Sequence, residues 1–567
     1  MDEPREARIE SRGDLVVVRL IGWPGRSGYS AFKGAVEKAG ARYNEGAKEY
    51  AGPIGAARVI VSALHREGFA LDVAQDVQDF VRSEDRRGRD LLEGVDIRVE
   101  RLAERGRELK PWQPEAVRFM ATRRRVLNHD DMGLGKTIEA LVAAPYGVPV
   151  LICCPSAAIG VWEAELGAWR PDLRPVVTSS TVIASARDSF RWPGLGEAVI
   201  VSSASLPGEL VKHGKGTRAK LPEHLAKSVP DGALVLFDEA HEYKDTKAGR
   251  TKRARTIARA ILKAGGSAWA LTGTPLLNNP QELWNVLDLV RLAETAYGSF
   301  PRFTALCKGR RVRVGRGVMW KWGKEPSPLV PELLRRVAIG RLKEDWLDGE
   351  VVVRDLVTDV GAEAVALADE VVGMLREAGV DIDNVADVLD AMRKAKIPFE
   401  LLSRVRQALA VGKLPASVVA VDYLEHELGE PVLFFSDHRA PIEAMAKRPG
   451  WGSITGADSA ASKKAKEVAF QRGDIRNLAL SVKAAGVALT LTRANQVVLN
   501  DGPWTPELVR QAVDRANRLG QERWPVQVTR IRARHQLEAR IFETLDRKTA
   551  LVAATTRAAA RRPGGGE

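Results

Sequence analysis

The chain has 567 residues, which is well beyond the usual size of one domain and predicts at least two hydrophobic cores. Apolar residues make up 45% of it and charged residues 28%, so the composition excludes wholesale disorder. The net charge of +13 favours a polyanionic partner such as nucleic acid, because a protein that neutralises phosphates releases their counterions. The three cysteines are too few for a disulfide framework or a metal knuckle.

The N-terminal sequence MDEPREARIESRGD is charged and is followed by no signal-like apolar segment. No window holds the roughly 18 consecutive apolar residues that would cross a membrane. We therefore expect a cytoplasmic, nucleoid-associated protein with no membrane partner, and the sequence identifies no protein partner. Its richness in Ala, Arg and Gly favours a bacterial or phage gene of high GC content.

Residues 1–105 are predicted to form a small α+β accessory domain. The run LVVVRLIGW predicts a strand, ARYNEGAKEYAGP predicts a hairpin, and both AFKGAVEKAG and ARVIVSALHREGF predict helices. The charged stretch SEDRRGRDLLEG at 83–94 is predicted to be a linker.

Residues 106–300 alternate buried-strand patterns with helical patterns, which is typical of a parallel sheet covered by helices on both faces. The alternation returns at 431–547, so the sequence predicts an α/β protein with two such lobes. The intervening residues 301–430 begin without strand periodicity and predict a basic, mostly helical insertion. Residues 548–567 are predicted to be a disordered tail.

The stretch DDMGLGKT at 130–137 has the end of a phosphate-binding loop but not its usual opening glycine. In such a loop the glycines turn backbone N–H groups toward phosphate oxygens, the lysine reaches the terminal phosphates and the threonine hydroxyl binds Mg²⁺. The predicted cofactor-binding residues are Met132, Gly133, Leu134, Gly135, Lys136 and Thr137, the last also as a metal ligand. On the loop alone, an ordinary glycine-rich turn is the alternative.

A pair of acids, Asp238 and Glu239, follows a predicted buried strand in ALVLFDEAH. At that strand end, Asp238 is placed to hold Mg²⁺ and Glu239 to polarise an attacking water. An acidic pair by itself is as often a solvated turn. Together with a phosphate loop in the same predicted sheet, the pair predicts ATP hydrolysis.

Three segments resemble the Swi/Snf-related DNA-dependent ATPases of helicase superfamily two: DEAH at 238–241, LTGTPLLNNPQELW at 271–284 and QAVDRANRLGQ at 511–521. In that family the phosphate loop begins with Asp, which accounts for Asp130. The resemblance covers about residues 107–547 and implies two tandem RecA-like lobes. It also implies ATP and Mg²⁺ as cofactors and translocation along duplex or branched DNA.

The resemblance implies roles for individual residues as well. Gln113 of LKPWQPEAVRFM matches the amide that contacts adenine. Arg515 and Arg518, spaced to share one helical face, are predicted to reach the terminal phosphate from the second lobe and to be catalytic with Lys136, Asp238 and Glu239. DNA contact or coupling is implied for Ser156, Ser203, Thr272, Thr274, Ser481 and Gly486.

Five positions depart from the family pattern. Asp131 replaces a Glu, Gly340 stands where an Arg is usual, and Asn517 stands where a His is usual. Ala485 and Ala488 replace glycines, which predicts an altered grip on DNA.

The tract CKGRRVRVGRGVMWKWGK at 307–324 contains no acidic residue. Arg310, Arg311 and Arg313 are predicted to contact DNA phosphates, and Trp320 is predicted to stack on bases or wedge a duplex. The alternative is a solvated charged face on which the tryptophans anchor the loop to its own domain. A second cationic candidate is KDTKAGRTKRARTIARAILK at 244–263.

Within the family, AAGVALTLT at 484–492 and the N-terminal unit resemble the annealing-helicase (HARP-like) group, which rewinds DNA and remodels forks. Three alternatives stay open: the motor subunit of a restriction or phage-defence complex, an RNA helicase, and a DNA-binding scaffold without enzymatic activity. Retention of the five catalytic residues counts against the scaffold.

Overall fold

In the computed structural model, the described residues are 5–560 apart from 13–14, 40, 54–55, 179–189, 215, 274–279, 315–316, 324–325, 347–348, 384–386, 483–488, 503–505 and 519. The chain divides into two compact units. One is Met1–Glu108 with Ala293–Arg302, and the other is Leu109–Leu292 with Phe303–Glu567. Among the described residues, no helix combines the length and the apolar character needed to cross a bilayer.

The first unit holds a five-stranded sheet. Its strands are β1 (Glu6–Arg12), β2 (Leu15–Ile21), β3 (Arg42–Asn44), β4 (Glu49–Pro53) and β5 (Ala70–Val73), and its helices are α1 (Gly25–Lys38), α2 (Ala57–Arg66) and α3 (Gln75–Ala103). The strand order is β3-β4-β2-β1-β5, with β5 parallel to β1 and the other pairs antiparallel. Alternate residues of β2 point to one face, so Val16 and Val18 share a core with Phe32 of α1 and Ile60 of α2. The predicted strand, hairpin and two helices are all present.

The predicted linker at 83–94 is wrong, because α3 runs through these residues without a break. Arg, Glu and Leu have good intrinsic helix propensity, and neighbouring turns bring opposite charges together. A charge-rich stretch without an apolar stripe can therefore continue a helix that a more apolar segment has started.

The first lobe is built on a parallel sheet of seven strands. The strands from 125 to 339 are β6 (Arg125–Asn128), β7 (Val150–Cys154), β8 (Arg174–Thr178), β9 (Glu197–Ser202), β10 (Glu209–His213), β11 (Gly216–Lys220), β12 (Leu234–Phe237), β13 (Ser267–Leu271), β14 (Arg310–Val314), β15 (Gly317–Lys321) and β16 (Ala338–Ile339). The sheet order is β16-β6-β13-β12-β7-β9-β8. Every residue of β7 and β12 is buried, as expected for a sheet covered on both faces.

Helices lie between these strands along the chain. They are α4 (Gln113–Ala121), α5 (Lys136–Ala143), α6 (Ile159–Trp169), α7 (Glu223–Lys227), α8 (Gly249–Lys263), α9 (Pro280–Leu289), α10 (Ala293–Tyr297), α11 (Phe300–Leu306) and α12 (Leu329–Arg335). Because all seven strands of the sheet run the same way, the segments that follow β6, β9, β12 and β13 meet at one edge. That edge carries the phosphate loop, Ser203, the acidic pair and Thr272.

The insertion differs from its prediction in two places. The basic tract at 310–321 forms the antiparallel hairpin β14–β15, where the sequence predicts no strand. In RRVRV the Arg and Val residues alternate, which suits an exposed two-stranded ribbon even though the segment is too charged for a core strand. The second difference is β17 (Val351–Thr358), which leaves the insertion to pair with the sheet of the second lobe.

The helices of the insertion are confirmed: α13 (Ala362–Glu377), α14 (Val388–Lys394) and α15 (Phe399–Asp422). Their buried faces share one core with the C-terminal helix α19 (Gln536–Ala559), through residues such as Val371, Val405 and Leu537. The tail was predicted to be disordered from 548, but α19 continues to Ala559, so this prediction is wrong for those residues. The first half of α19 contributes Leu537, Ile541 and Leu545 to the shared core, and the helix continues beyond them.

The second lobe has a six-stranded parallel sheet in the order β17-β22-β21-β18-β20-β19. Its remaining strands are β18 (Val432–Ser436), β19 (Trp451–Ile454), β20 (Asn477–Ser481), β21 (Gln496–Leu499) and β22 (Val526–Ala533). Its helices are α16 (Arg439–Ala446), α17 (Ala460–Arg472) and α18 (Pro506–Val513), followed by α19. Separate apolar cores cover the two faces of the sheet, and together the two lobes confirm the predicted α/β architecture with tandem parallel sheets.

Candidate active site between the two lobes

The loop between β6 and α5 has the backbone of a phosphate cradle. Gly133 and Gly135 have φ angles of 87° and 91°, which only glycine adopts without strain. Gly135 is the residue before α5, so the first N–H groups of that helix face the loop. The Nζ of Lys136 donates hydrogen bonds to the carbonyl oxygens of Asp130 at 2.7 Å and Asp131 at 3.1 Å. The loop therefore curls around its own lysine.

The side chains of Trp112 and Gln113 form hydrogen bonds to the backbone of the phosphate loop. Trp112 Nε1 donates to the carbonyl oxygen of Leu134 at 2.9 Å, and Gln113 Nε2 donates to the same oxygen at 3.2 Å. Gln113 Oε1 accepts from the N–H of Lys110 at 2.8 Å, and the side chain is buried. A Cβ on Gly135 would lie 2.4 Å from Gln113 Nε2, so this close approach also requires glycine. The amide expected to contact adenine here supports the phosphate loop.

The acid that replaces the opening glycine belongs to a buried ion-pair network. Asp130 and Glu139 both pair with Arg341, and all three side chains are fully buried. Arg341 Nε lies 3.1 Å from both oxygens of Asp130, and Asn128 Nδ2 donates to Glu139 at 2.7 Å. Burial, and then the charge of Asp130, raise the pKa of Glu139 well above its usual range. Asp130 thus ties the phosphate loop to the segment at 339–345, and sequence reasoning missed Arg341 because its partners lie about two hundred residues away.

The unusual glycine at 340 has a steric explanation. A Cβ at Gly340 would lie 1.9 Å from Cε1 of His129, so the imidazole ring occupies the space of a side chain. His129 is buried, and burial lowers its pKa to about 4. Gly340 therefore stands where the family has an arginine, and the neutral ring of His129 fills the space beside it.

The acidic pair is held in two different environments at the end of β12. Asp238 accepts a hydrogen bond from Trp162 Nε1 at 2.8 Å, and burial followed by the neighbouring charge of Glu239 raises its pKa to about 6. Burial also acts to raise the pKa of Glu239, but the close approach of His241, and then the charges of Lys136 and Arg515, outweigh it and lower the pKa to about 2. Glu239 has φ of 45°, a left-handed backbone that is uncommon outside glycine. Glu239 is therefore ionised at neutral pH and is held in a strained conformation.

His241 connects the acidic pair to the next strand. Its Nδ1 lies 3.2 Å from Glu239 Oε2 and 3.2 Å from Thr272 Oγ1. Thr272 follows β13 and is buried. His241 therefore gives a direct path from Glu239 to the segment that begins with Thr272.

Arg515 and Arg518 of the second lobe face the first lobe. They lie in the turn after α18, which ends at Val513, so the prediction that they share a helical face is wrong. Both guanidinium groups nevertheless converge, because each donates to the carbonyl oxygen of Leu489, at 3.5 and 3.1 Å. A Cβ added to Gly133 of the phosphate loop would lie 3.3 Å from Cγ of Arg518. The turn therefore places Arg515 and Arg518 together on the side of the second lobe that faces the phosphate loop.

Arg515 is buried beside Arg518. Burial, and then the charge of Arg518, lower its pKa to about 10, while Glu239 of the first lobe acts in the opposite direction. Its Nε is buried and has no hydrogen-bond partner among the described residues. A polyphosphate anion fits this site, since it would supply the acceptors that Arg515, Arg518 and Lys136 share.

A second bridge between the lobes was missed by the sequence analysis. The N–H of Lys343 donates to Asp131 Oδ2 at 3.0 Å, while its Nζ donates to Asp514 Oδ1 and to the carbonyl oxygen of Asn517, both at 2.7 Å. Arg510 of α18 approaches Asp131 at 3.4 Å and donates to the carbonyl oxygen of Gly273 at 3.0 Å. Lys343 and Arg510 thus join the phosphate loop to the elements that carry Arg515 and Arg518. The sequence signal for Lys343 is the segment IGRLKEDWLDG at 339–349, which resembles the family's RRxKxDV segment with Lys343 at the lysine position.

The residues predicted to contact DNA differ in their exposure to solvent. Ser203 is buried and donates to Glu242 Oε2 at 2.6 Å, and Thr272 is buried, whereas Ser156 is exposed and Ser481 is half-buried. Thr274, Gly486, Ala485 and Ala488 lie outside the described residues. Because Ser203 and Thr272 are buried, neither side chain is exposed for direct contact with a duplex.

Hairpin β14–β15 presents its arginines to solvent. Arg310, Arg311 and Arg313 are exposed. Trp320 stacks on Trp322 with ring centroids 5.6 Å apart, and the guanidinium of Arg311 lies over the Trp320 ring. Trp322 also packs against Phe303. Trp322 therefore anchors the hairpin, while Trp320 is half-buried between Trp322 and an exposed arginine.

Comparisons with known proteins match both lobes. The model of the SNF2-related domain matches residues 112–345, and the model of the helicase conserved C-terminal domain matches residues 416–520. The Caenorhabditis elegans homolog of SWI/SNF-related matrix-associated actin-dependent regulator of chromatin subfamily A-like protein 1 is 29% identical over 427 residues, which are 73% of this chain and 57% of that protein. The DNA annealing helicase and endonuclease ZRANB3 of Mus musculus is 26% identical over 466 residues, which are 79% of this chain and 41% of that protein.

A solved structure, the Sulfolobus solfataricus SWI2/SNF2 ATPase core in complex with dsDNA, is 19% identical and covers 79% of this chain and 94% of that chain, with a TM-score of 0.33. The chain spans about half the length of the curated relatives it matches. The two domain models match the two parallel-sheet lobes in the expected order, and each includes one side of the site described above. The chain therefore belongs to the SNF2-related family of helicase-type ATPases.

Proposed function

We propose that this protein hydrolyses ATP in the cleft between its two lobes and uses the cycle to move along duplex DNA and remodel branched DNA. The observation that carries the proposal is the approach of Arg518, from the second lobe, to Gly133 in the phosphate loop of the first. A site whose parts come from both lobes can form and break as the lobes close and open. Closure and opening of two lobes, each in contact with DNA, produce stepping.

We assign ATP binding to the cradle formed by Met132 to Thr137, with Lys136 on the terminal phosphates. Thr137 and Asp238 would hold Mg²⁺, which would supply positive charge to neutralise the phosphates. Trp162 fixes one carboxylate oxygen of Asp238 and so orients the other. Glu239, ionised at neutral pH, is placed to accept a proton from an attacking water.

Arg515 and Arg518 have the role of arginine fingers in this proposal. Guanidinium groups near the terminal phosphate stabilise the charge that develops during phosphoryl transfer, and such residues contribute about 10³ to 10⁵ in rate. Their hydrogen bonds to the carbonyl oxygen of Leu489 link them to the segment AAGVALTLT at 484–492, which contains that residue. Movement of that segment against DNA would therefore move the arginines.

Duplex DNA as the track is supported by the cationic hairpin β14–β15 and by the family. Phosphate contacts position a protein on DNA without reading its sequence, as exposed arginines do. Remodelling of branched DNA is supported by the similarity to a protein named as a DNA annealing helicase and by the N-terminal unit. The same motor inside a defence complex remains an alternative, and no described feature of the chain favours it.

The test is ATP hydrolysis measured with no DNA, single-stranded DNA, blunt duplex and forked DNA at equal nucleotide concentration. We expect duplex to stimulate turnover and forked DNA to stimulate it most. Equal rates with and without DNA would overturn the coupling of hydrolysis to DNA. Stimulation by single strands alone would overturn the duplex track.

A further inference from the structure

The second unit contains a pocket of about 800 Å³ that the site described so far does not use. Its described lining residues come mainly from strands β17 and β22 and from helices α15, α18 and α19. Lys136, Arg515 and Arg518 are not among them, so the pocket is separate from the phosphate site. Its volume is within the range of about 300–1,000 Å³ that is usual for small-molecule sites.

Apolar side chains from four elements form a large part of the wall. Val353 of β17 and Val528 of β22 are neighbours in the parallel register. Both line the pocket, together with Val513 of α18 and Phe542 of α19. Both faces of a parallel sheet are normally covered, yet Val353 is 50% exposed. An apolar molecule that covers Val353 would remove this surface from water, which is favourable.

Ion pairs hold the aromatic side of the wall in place. The guanidinium groups of Arg530 and Arg532 lie over the ring of Phe542, at 5.3 and 4.8 Å from its centroid. Arg530 is itself paired with Asp355 and Asp546, each at 2.7 Å. These contacts orient the ring without a ligand, as expected of a site that is largely formed before its ligand binds.

His438 supplies a hydrogen-bond acceptor to the pocket. Its Nδ1 lies 2.8 Å from Oδ2 of Asp501. Because an ionised carboxylate can only accept, Nδ1 carries the proton, and Nε2 is the acceptor of the neutral ring. His438 lines the pocket, and its Nε2 has no hydrogen-bond partner among the described residues. A ligand that donates one N–H would satisfy this acceptor.

The charges of the wall are already paired. Each lysine and arginine among the described lining residues has an acid as its partner. Lys413, for example, is buried and pairs with Glu538 at 2.6 Å. An anionic ligand would have to break such a pair, and a buried charge left without its partner is costly. The same pairs neutralise most of the lining acids, so the pocket suits an uncharged ligand.

The pocket adjoins the bridge between the lobes. Lys343 and Asp514, which pair at 2.7 Å, both line it, as do Asp131 and Arg510. The first-lobe side of the bridge is the contact of Lys343 with Asp131 of the phosphate loop. A ligand in the pocket therefore packs against both sides of the bridge, and it favours the arrangement in which the bridge is formed.

We propose that this pocket binds an uncharged, largely apolar aromatic molecule with one N–H donor, and that the bound molecule slows ATP hydrolysis by keeping the bridge formed. The effect on hydrolysis rests on the proposed function, since it assumes a cycle in which the lobes close and open. Binding to the pocket requires neither nucleotide nor DNA.

The experiment uses 2-phenylindole as the probe, an uncharged aromatic molecule with one N–H. The matched control probe is 1-methyl-2-phenylindole, in which a methyl group replaces that hydrogen. The test variant Val353→Trp adds bulk at an exposed position of the wall. The control variant Leu356→Trp adds the same ring at an exposed residue on the opposite face of β17, which is not among the described lining residues. Probe fluorescence measures binding to each full chain, and ATP hydrolysis is measured with duplex DNA.

Leu356→Trp should bind 2-phenylindole as the wild type does, and Val353→Trp should bind it at least about tenfold more weakly because its ring overfills the pocket. The methylated probe should bind the wild type roughly tenfold more weakly, because it leaves the acceptor unpaired. This preference for the N–H should disappear in His438→Phe. Saturating 2-phenylindole should slow DNA-stimulated hydrolysis by the wild type and Leu356→Trp about fivefold or more.

Equal affinities of Val353→Trp and Leu356→Trp for 2-phenylindole would overturn the proposed pocket. A preference for the N–H that persists in His438→Phe would overturn the assigned acceptor, and binding without slower hydrolysis would overturn the regulation. A wild-type protein that binds the probe but shows no DNA-stimulated hydrolysis would confirm the pocket and overturn the proposed function.

Discussion

At the residue scale, a substitution of Lys136 should affect ATP hydrolysis without affecting DNA binding. Its Nζ is held by two carbonyl oxygens of its own loop, so it is placed for phosphate and takes no part in a core. We expect Lys136→Ala to reduce ATP hydrolysis to background while duplex affinity without nucleotide stays within about twofold of wild type. Steady-state hydrolysis and duplex titration measure the two effects. Loss of both would mean that the variant is misfolded or that the site is assigned wrongly.

Gly340 is required by the ring of His129. A Cβ at this position would lie 1.9 Å from the ring, so Gly340→Ala should lower the free energy of unfolding by about 1–3 kcal/mol through overpacking. Urea denaturation measures the change. Gly373 in α13 is a matched control, because its Cβ would meet nothing within 4 Å, and Gly373→Ala should stabilise by about 0.5–1 kcal/mol. If both substitutions stabilise the protein, the close packing of His129 on Gly340 is wrong.

At the scale of elements, Lys343 bridges the phosphate loop and the turn that carries Arg515 and Arg518. Lys343 and Asp514 are both mostly buried, so truncating one leaves a buried charge unpaired. We expect Lys343→Met and Asp514→Asn each to lower kcat by at least about tenfold, with a coupling energy on the order of 1–3 kcal/mol between them in a double-mutant cycle. The exposed pair Arg336 and Glu332 is a control that should show no coupling above about 0.5 kcal/mol. Additive effects at Lys343 and Asp514 would contradict a direct bridge.

The hairpin β14–β15 makes a separate prediction. Reversal of charge at Arg310, Arg311 and Arg313 should weaken duplex binding and lower its salt slope by roughly one to three, because fewer counterions are released. ATP hydrolysis without DNA should not change, since these side chains are exposed and none is within the site. An unchanged salt slope in a titration of duplex at several salt concentrations would place the DNA elsewhere.

The sequence predicted those strands and loops that are determined by neighbouring residues. Buried strands such as β7 and β12 are continuous apolar runs, and the acid pair and the phosphate loop follow such runs directly. The partners of these segments were not predictable, since Arg341 meets Asp130 and Glu139 only through the fold. Charge-rich segments were harder to predict: 83–94 continues helix α3 and 310–321 forms the ribbon β14–β15, although neither has a clear apolar period.

At the scale of the whole molecule, the two lobes contribute unequal halves of one site. The first lobe supplies the phosphate cradle and the acids, and the second supplies Arg515 and Arg518, while Lys343 and Arg510 hold the two together. A nucleotide bound between them would stabilise closure, and its hydrolysis would release it.

Single-turnover hydrolysis of bound ATP by Arg515→Ala, in the presence of duplex DNA, tests this division most directly. We predict that ATP affinity stays within about threefold of wild type while hydrolysis slows by about 10³ or more, because the arginine acts on the charge of the transition state. Hydrolysis at the wild-type rate would show that the second lobe takes no part in the chemistry and would contradict a site shared between the lobes.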